Sequence, residues 1–489
     1  MNSIPAYKKN EVLLDEEDVD TEKGTNMPHA EGLTVMDLST ILLALFILFV
    51  AYLYRAYVKI STNHPAPKID IDEYWGKGKV ENHRDDDDNI KPFKVSVRTE
   101  DIEKLRNRLT EAGPFADPLD DVGFEYGFNS KQLEKIVKYW RDDYLSNWKM
   151  HEEFLNKFPQ FTTQIQGLSI HYLHARPNLQ NSENVKIFPL LLLHGWPGSV
   201  REFYEIVPLL IMPKNGIAFE VVAPSLPGFG WSEATSRKGL SPEKMSVIVR
   251  NLMIHIGYDK FYVQGGDWGS VVGSGVATLF PENVLGYHAN MMSIRTPLGT
   301  LKTIIAAYFP SLFMEAENVS WMNPYSRTFW FLLEESGYFH LQATKPDTIG
   351  IALSGNPVGL AAYLLEKFST GTNRDYRQMH DGGLTKDFHM DALIDNLMIY
   401  YLSNCATSAG RIYKEAMHTN IKLDRVAVTI PAGVAHFKHE ISHQLAFITS
   451  EKFKKLIHET FHSHGGHFAA LQLPEVLYED FVKFVEKTL

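Results

Sequence analysis

The stretch Lys260–Pro281, KFYVQGGDWGSVVGSGVATLFP, constrains this chain more than any other. Phe261-Tyr262-Val263 is a short β-branched and aromatic run, the length of a buried strand rather than a helix. Gly265 and Gly266 break it, and an amphipathic, small-residue-rich stretch follows from Trp268 to Phe280. Strand, tight glycine turn and helix make a nucleophile elbow, whose central residue is strained and whose neighbours must be nearly free of side chain. Gly265-x-Asp267-x-Gly269 meets that demand with a carboxylate at the centre. An aspartate is already ionised at neutral pH. It attacks directly and leaves an ester that water must later cleave. The plainer alternative is a glycine turn with an aspartate capping the next helix; the rest of the chain decides between them.

The surrounding pattern is strand-helix alternation. Phe188–Leu193, Ala218–Ala223, the elbow strand, Val284–Ala289, Val426–Ile430 and a weaker run at Thr460–His462 read as strands. Helices are expected at about Val200–Ile211 and Pro242–Ile256, with a closing one at Pro474–Lys487. Such spacing implies right-handed crossovers and a mostly parallel sheet with helices on both faces. The alternation stops between residues 297 and 401, a helical, aromatic-rich stretch taken as an inserted cap. Residues 161–296 and 402–489 then form the two parts of the core. Ahead of it, 57–160 forms an N-terminal domain with helices at about Thr99–Ala112 and Ser130–Phe158. FTTQIQGLSIHYLHAR, turning at Gly167, reads as a hairpin.

Residues 1–32 are acidic and polar, with Asp15-Glu16-Glu17-Asp18 at their centre, and read as a disordered tail. Residues 33–56 hold ILLALFILFVAYLY without interruption, long enough to span a bilayer. Arg55, Lys59 and Lys68 follow it and Lys23 lies close before it, so the positive-inside rule puts the globular portion on the cytoplasmic side. The sequon Asn318-Val319-Ser320 would then go unused. Net charge is −11 without a basic cluster, which excludes nucleic acid as an expected partner. Cys405 is the single cysteine, so no intrachain disulfide forms. GxxxxGK[ST], GxGxxG and GxSxG are all missing, which argues against nucleotide binding and an ordinary serine esterase.

Sites in such folds form where loops converge at the carboxyl ends of strands. His194-Gly195-Trp196-Pro197 follows the first core strand, and its turn aims the Trp196 N–H beside that of Trp268 as an oxyanion hole. Gly265, Gly266 and Gly269 shape the elbow around Asp267. His467, after Gly465-Gly466 and before a helix, stands where an α/β-hydrolase keeps its base. The order nucleophile, acid, histidine requires a carboxylate between them, and Glu440 lies past the strand ending at Ile430.

GGDWGS, HGWPGS, GGHFAA and the cap segments ESGYFHLQATKPDT and NPVGLAAYLLEKFSTGTN together resemble microsomal-type epoxide hydrolases, including juvenile hormone epoxide hydrolases. The likeness runs from about Ile90 to the end, and GFNSKQLEKIVKYW is similar to that family's amino-terminal domain. It implies an α/β-hydrolase core with a helical cap and an N-terminal transmembrane helix, in the endoplasmic reticulum membrane. Asp267 matches the nucleophile, His467 the water-activating base and Glu440 its partner. Tyr338 in SGYFH and Tyr413 in RIYKE match the cap tyrosines that hold and protonate the epoxide oxygen. One departure is Phe437-Lys438-His439-Glu440, where the family usually has proline two residues before the acid. The implied partners are a small apolar epoxide, water and membrane lipid, with no cofactor and no metal.

Three rivals stand beside this. Residues 439–443 read HEISH, an HExxH match with Glu459 downstream as a third ligand, which on a helix would bind zinc. A haloalkane dehalogenase would share Asp267 and His467 but not the tyrosines. A catalytically silent membrane-tethered scaffold would need the set to be broken, and Lys438 is its only support.

Overall fold

The computed structural model describes residues 38–78, 89–178 and 184–489, in two compact units, one up to Tyr57 and one from Val58 to Leu489. The expected acidic tail of residues 1–32 lies outside the described residues. The first described element is an unbroken helix, Leu38–Ser61, with a mean hydropathy of 2.2 in its most apolar window and no buried residue. At 1.5 Å per residue its 24 residues extend about 36 Å, enough to cross a hydrocarbon core of about 30 Å.

The second unit is built on one nine-stranded sheet. In chain order the strands are β1 (Lys91–Phe93), β2 (Gln160–Ile165), β3 (Leu168–Ala175), β4 (Lys186–Leu193), β5 (Ile217–Pro224), β6 (Phe261–Gly265), β7 (Val284–Ala289), β8 (Val428–Phe437) and β9 (Phe453–His462). Their spatial order is β1-β2-β3-β5-β4-β6-β7-β8-β9. β1, β2, β3 and β5 pair antiparallel, and from β5 to β9 every pairing is parallel. This is an α/β-hydrolase sheet, with the crossover at β4 that puts loops from β4 and β6 side by side. Leu190–Leu193 of β4 and Phe261–Val263 of β6 are fully enclosed, because helices cover both faces of a parallel sheet. One core lies between the sheet and the cap, and another under the C-terminal helix Pro474–Glu486.

Several boundaries differ from the sequence reading. The helix expected over Ser130–Phe158 is interrupted: α-helix to Tyr139, a π turn at Trp140–Tyr144, a 3₁₀ turn, then α-helix at Trp148–Leu155. The irregular turns let Trp140 and Tyr144 both point into the core, and Tyr144 bonds Asp395 at 2.7 Å. Val200–Ile211 is a 3₁₀ turn and a short helix rather than one helix. β8 runs seven residues past Ile430, to Phe437, because Pro431 at its edge sits at a register shift where no ladder donor is needed. The helical region continues past residue 401: Ala406–His418 packs on Gly337–Thr344 and Pro346–Leu353, so Tyr413 stands among cap helices.

Candidate active site

Asp267 opens the helix that follows β6 and has φ of +45°, a left-handed conformation that is strained for any residue with a Cβ. That conformation turns its carboxylate out of the helix and toward the β4 loop. Two close approaches make it possible. A Cβ on Gly269 would overlap the Leu193 carbonyl, and one on Gly195 would overlap the Asp267 carboxylate itself. The Trp196 backbone N–H donates to Asp267 Oδ1 at 2.7 Å. The Trp268 N–H lies in the first turn of the helix, where leading donors have no partner within the helix.

The β4 loop is held from three sides. Buried His194 accepts the Leu226 N–H at Nε2, which leaves its Nδ1–H to donate to the Gly195 carbonyl; burial pushes its pKa down to about 4, so it stays neutral. Asn396 Nδ2 donates to the Pro197 carbonyl at 2.9 Å, and the Tyr400 hydroxyl to that of Gly198 at 3.0 Å. Both side chains come from the helix Met390–Ser403, which carries no reactive group into the cavity. Its role left no motif in the sequence.

His467 faces Asp267 across 3.3 Å, Nε2 to Oδ2, and its Nδ1 lies 2.7 Å from Glu440 Oε1. Glu440 is 1 % exposed and also accepts the Ile441 N–H at 2.7 Å. Burial disfavours an imidazolium here, yet the carboxylates of Glu440 and Asp267 outweigh it and hold His467 well above its ordinary pKa. The His467 N–H donates to the carbonyl of Gly371, in the last turn of the helix Pro357–Thr372. Gly466 permits this, since a Cβ there would overlap the Gly371 and Thr372 carbonyls. Lys438, where a proline was expected, places its ammonium over the Trp321 ring at 4.6 Å and leaves Glu440 in reach of His467.

Tyr338 and Tyr413 line the roof of the same cavity, of about 320 Å³, together with Trp268, Phe339, Met292 and Phe331. Tyr338 stacks on Trp196 at 4.9 Å, and Tyr413 stands edge-on to Trp268 at 4.9 Å and to Phe339 at 5.1 Å. The Tyr413 hydroxyl is buried and makes no hydrogen bond of normal geometry to a described residue. Burial raises both phenol pKa values, followed by the Asp267 carboxylate for Tyr338 and by Tyr338 and then Asp267 for Tyr413, so both stay protonated and able to donate.

The HEISH segment is a turn and an irregular loop past the end of β8, not a helix, so it lacks the platform that sets two histidines on one face. His443 Nε2 lies 2.8 Å from the Phe437 carbonyl, and Glu459 bonds His436 and the Ala446 N–H. Among the described residues His288, His458 and Asp480 bring ligand atoms close enough for a metal. The ligand atoms in question are held in hydrogen bonds: the two Nε2 atoms sit 2.9 and 3.0 Å from Asp480 Oδ1, and Thr460 and His462 take Oδ2.

A carboxylate on a hydrolase elbow, facing a His–Glu pair beneath two phenols, sits on an α/β-hydrolase fold. Comparison with known proteins names the branch. Residues 90–203 match the family described as epoxide hydrolase N terminus and residues 189–315 the alpha/beta hydrolase fold. The chain is 45% identical over 448 residues to juvenile hormone epoxide hydrolase 2 of Ctenocephalides felis, covering 91% of this chain and 95% of that one. It is 41% identical over 455 residues to epoxide hydrolase 1 of Sus scrofa, covering 91% and 98%. The crystal structure of juvenile hormone epoxide hydrolase from Bombyx mori superposes with a TM-score of 0.83 at 44% identity, over 86% of this chain and 99% of that one. The chain belongs to the epoxide hydrolase family, and its reaction is the addition of water to an epoxide.

Proposed function

We propose that this epoxide hydrolase works through an ester on Asp267, with Tyr338 and Tyr413 as proton donors and His467–Glu440 as the base that frees the product. The observation that carries it is the closed chain Asp267–His467–Glu440 on the floor of the cavity that Tyr338 and Tyr413 also line. An Asp267 oxygen attacks an epoxide carbon, the C–O bond of the ring breaks, and a tyrosine hydroxyl protonates the departing oxygen. A phenol near pKa 10 or above suits so basic a leaving group. Ester formation removes the negative charge of Asp267, and with it part of what keeps His467 protonated. The proton that His467 gives up restores the tyrosine hydroxyl, and the neutral imidazole acts as base toward water, while Glu440 stabilises the cation that returns. The Trp196 and Trp268 N–H groups face the oxygen that becomes negative when water adds to the ester.

The substrate class is apolar epoxides. Met, Phe and Trp side chains line the cavity, and two relatives are named juvenile hormone epoxide hydrolases. Helix Leu38–Ser61 serves as a single-pass anchor in the endoplasmic reticulum membrane, with the catalytic unit on the cytoplasmic side, where lipid-dissolved epoxides are concentrated. In a single turnover with enzyme in excess and oxygen-18 water, the first diol should be unlabelled, its new oxygen coming from Asp267. Label in that first diol overturns the ester mechanism.

A further inference from the structure

We propose that Glu202 is a positioning residue for the hydrolytic water, which it holds in a water-sized void shared with Asp267 and His467. This rests on the ester mechanism above. The void, of about 10 Å³, is lined by Glu202, Gln264, Asn290, Asp267 and His467. That is room for roughly one water, and a lining this polar offers it the two to four partners an enclosed water needs. It adjoins the substrate cavity, with which it shares Trp196, Asp267, His467 and Phe468.

Glu202 is partly buried on the 3₁₀ turn after the β4 loop. A Cβ on Gly198 would overlap its Oε1, so the glycine of HGWPGS leaves the space this carboxyl fills. Burial pushes its pKa up to about 8, the His467 cation opposing and the Asp267 carboxylate adding to the rise. His194, which also lines the void, is held neutral. The ionised carboxylate of Glu202 is the stronger acceptor for a hydrogen of that water. The water then donates one hydrogen to His467 Nε2 and the other to Glu202, leaving a lone pair for Asp267 Cγ. The new O–Cγ bond forms as a proton passes to His467. The ester Cγ–O bond breaks on collapse, and the departing diol oxygen takes that proton back. The water's second proton, left on the Asp267 carboxyl, passes to His467 Nε2, 3.3 Å from Oδ2, and Asp267 is again a carboxylate.

The test is single-turnover kinetics with styrene oxide, following ester formation and decay by tryptophan fluorescence, with the ester confirmed by mass spectrometry of quenched enzyme. Glu202→Gln should form the ester within about threefold of the wild-type rate and hydrolyse it roughly 10- to 100-fold more slowly, the scale expected for a misplaced reactant. Glu202→Asp should recover part of that loss, and the inflection in hydrolysis rate against pH that reports Glu202 should vanish in Glu202→Gln. Wild-type ester decay in Glu202→Gln, or ester formation and decay falling together, overturns the proposal. Failure of the wild type to form any protein-bound ester overturns the ester mechanism itself and this role with it.

Discussion

The floor of the cavity and its roof hold their reactive groups by different means. On the floor, Asp267, His467 and Glu440 sit just past the ends of β6, β9 and β8, and glycines let backbone approach backbone closely enough to aim them. On the roof, Tyr338 and Tyr413 ride on helices and are oriented by rings: Trp196 under one, Trp268 and Phe339 around the other. A floor residue is therefore fixed by main-chain geometry that tolerates almost no substitution nearby. A roof residue is fixed by packing, which other aromatic arrangements could reproduce. Besides those ring contacts, a main-chain hydrogen bond joins the two, from the His467 N–H to the Gly371 carbonyl of a cap helix.

The sharpest break in this comparison comes from the floor. Asp267→Asn keeps shape and removes the nucleophile's charge, so ester formation should fall by at least about 10⁴-fold, in line with losses on removing a catalytic nucleophile. Stopped-flow ester formation measures it. Residual alkylation near the wild-type rate would move the nucleophile elsewhere. Roof lesions should be milder. Tyr338→Phe and Tyr413→Phe each remove a hydroxyl but keep the ring, and each should slow ester formation by roughly 10²-fold, the usual scale for a general acid. The double variant should be slower than either, since two donors face one oxygen. A double variant that alkylates normally would leave the roof with packing as its only role.

That asymmetry also explains what the sequence disclosed. GGDWGS and HGWPGS were readable because close backbone approach forces glycine into fixed positions, and β4, β6 and β7 were readable because strands buried on both faces need uninterrupted apolar runs. Tyr338 and Tyr413 were found only through family resemblance, since a cap helix accepts a tyrosine at many positions. Nothing marked Asn396 or Tyr400, whose bonds to the Pro197 and Gly198 carbonyls cross about 200 residues of chain. Glu202 also escaped notice, although the glycine that makes room for it lay inside a motif already singled out. The π turn at Trp140–Tyr144 was missed because the apolar spacing of the segment fits a continuous helix until its partners across the fold are known.

A smaller effect tests whether the floor includes the histidines beside Glu440. His443 lies against the Phe437 carbonyl, and neither His439 nor His443 bonds Glu440 or His467 in the contacts described. His439→Gln and His443→Gln should each keep turnover within about threefold of wild type, by the usual behaviour of substitutions away from catalytic contacts. Zinc analysis of the purified protein should find well under one equivalent. Stoichiometric zinc lost together with activity in either variant would replace the His–Glu base with a metal.

The gentlest perturbation is acid, and it should act on the sheet side of the molecule. His171 on β3 and His194 after β4 are buried and His443 after β8 is half-buried, and desolvation lowers their pKa values to about 3, 4 and 4. His174 on β3 and His288 on β7 are lowered in the same direction, also chiefly by burial. Each is neutral when folded and takes up a proton when unfolded once the pH drops below about 6.5. The unfolded state then binds more protons, so stability must fall as pH falls from about 6.5 toward the folded pKa values, by up to about 1.4 kcal/mol per pH unit for each such group. His467 works in the opposite sense: its raised pKa adds stability that is complete below about 6.5 and is lost as pH rises through the folded value, so it does not mask the acid slope. Thermal melts between pH 6.5 and 4.5 should therefore show a steady drop in Tm. His171 is the cleanest reporter because its ring is enclosed between Ser225 and Gln160, at 3.0 and 2.9 Å, far from the reacting groups. His171→Gln should lower Tm at pH 7 and flatten the acid slope; a Tm independent of pH across that window would mean these imidazoles are already charged in the folded core.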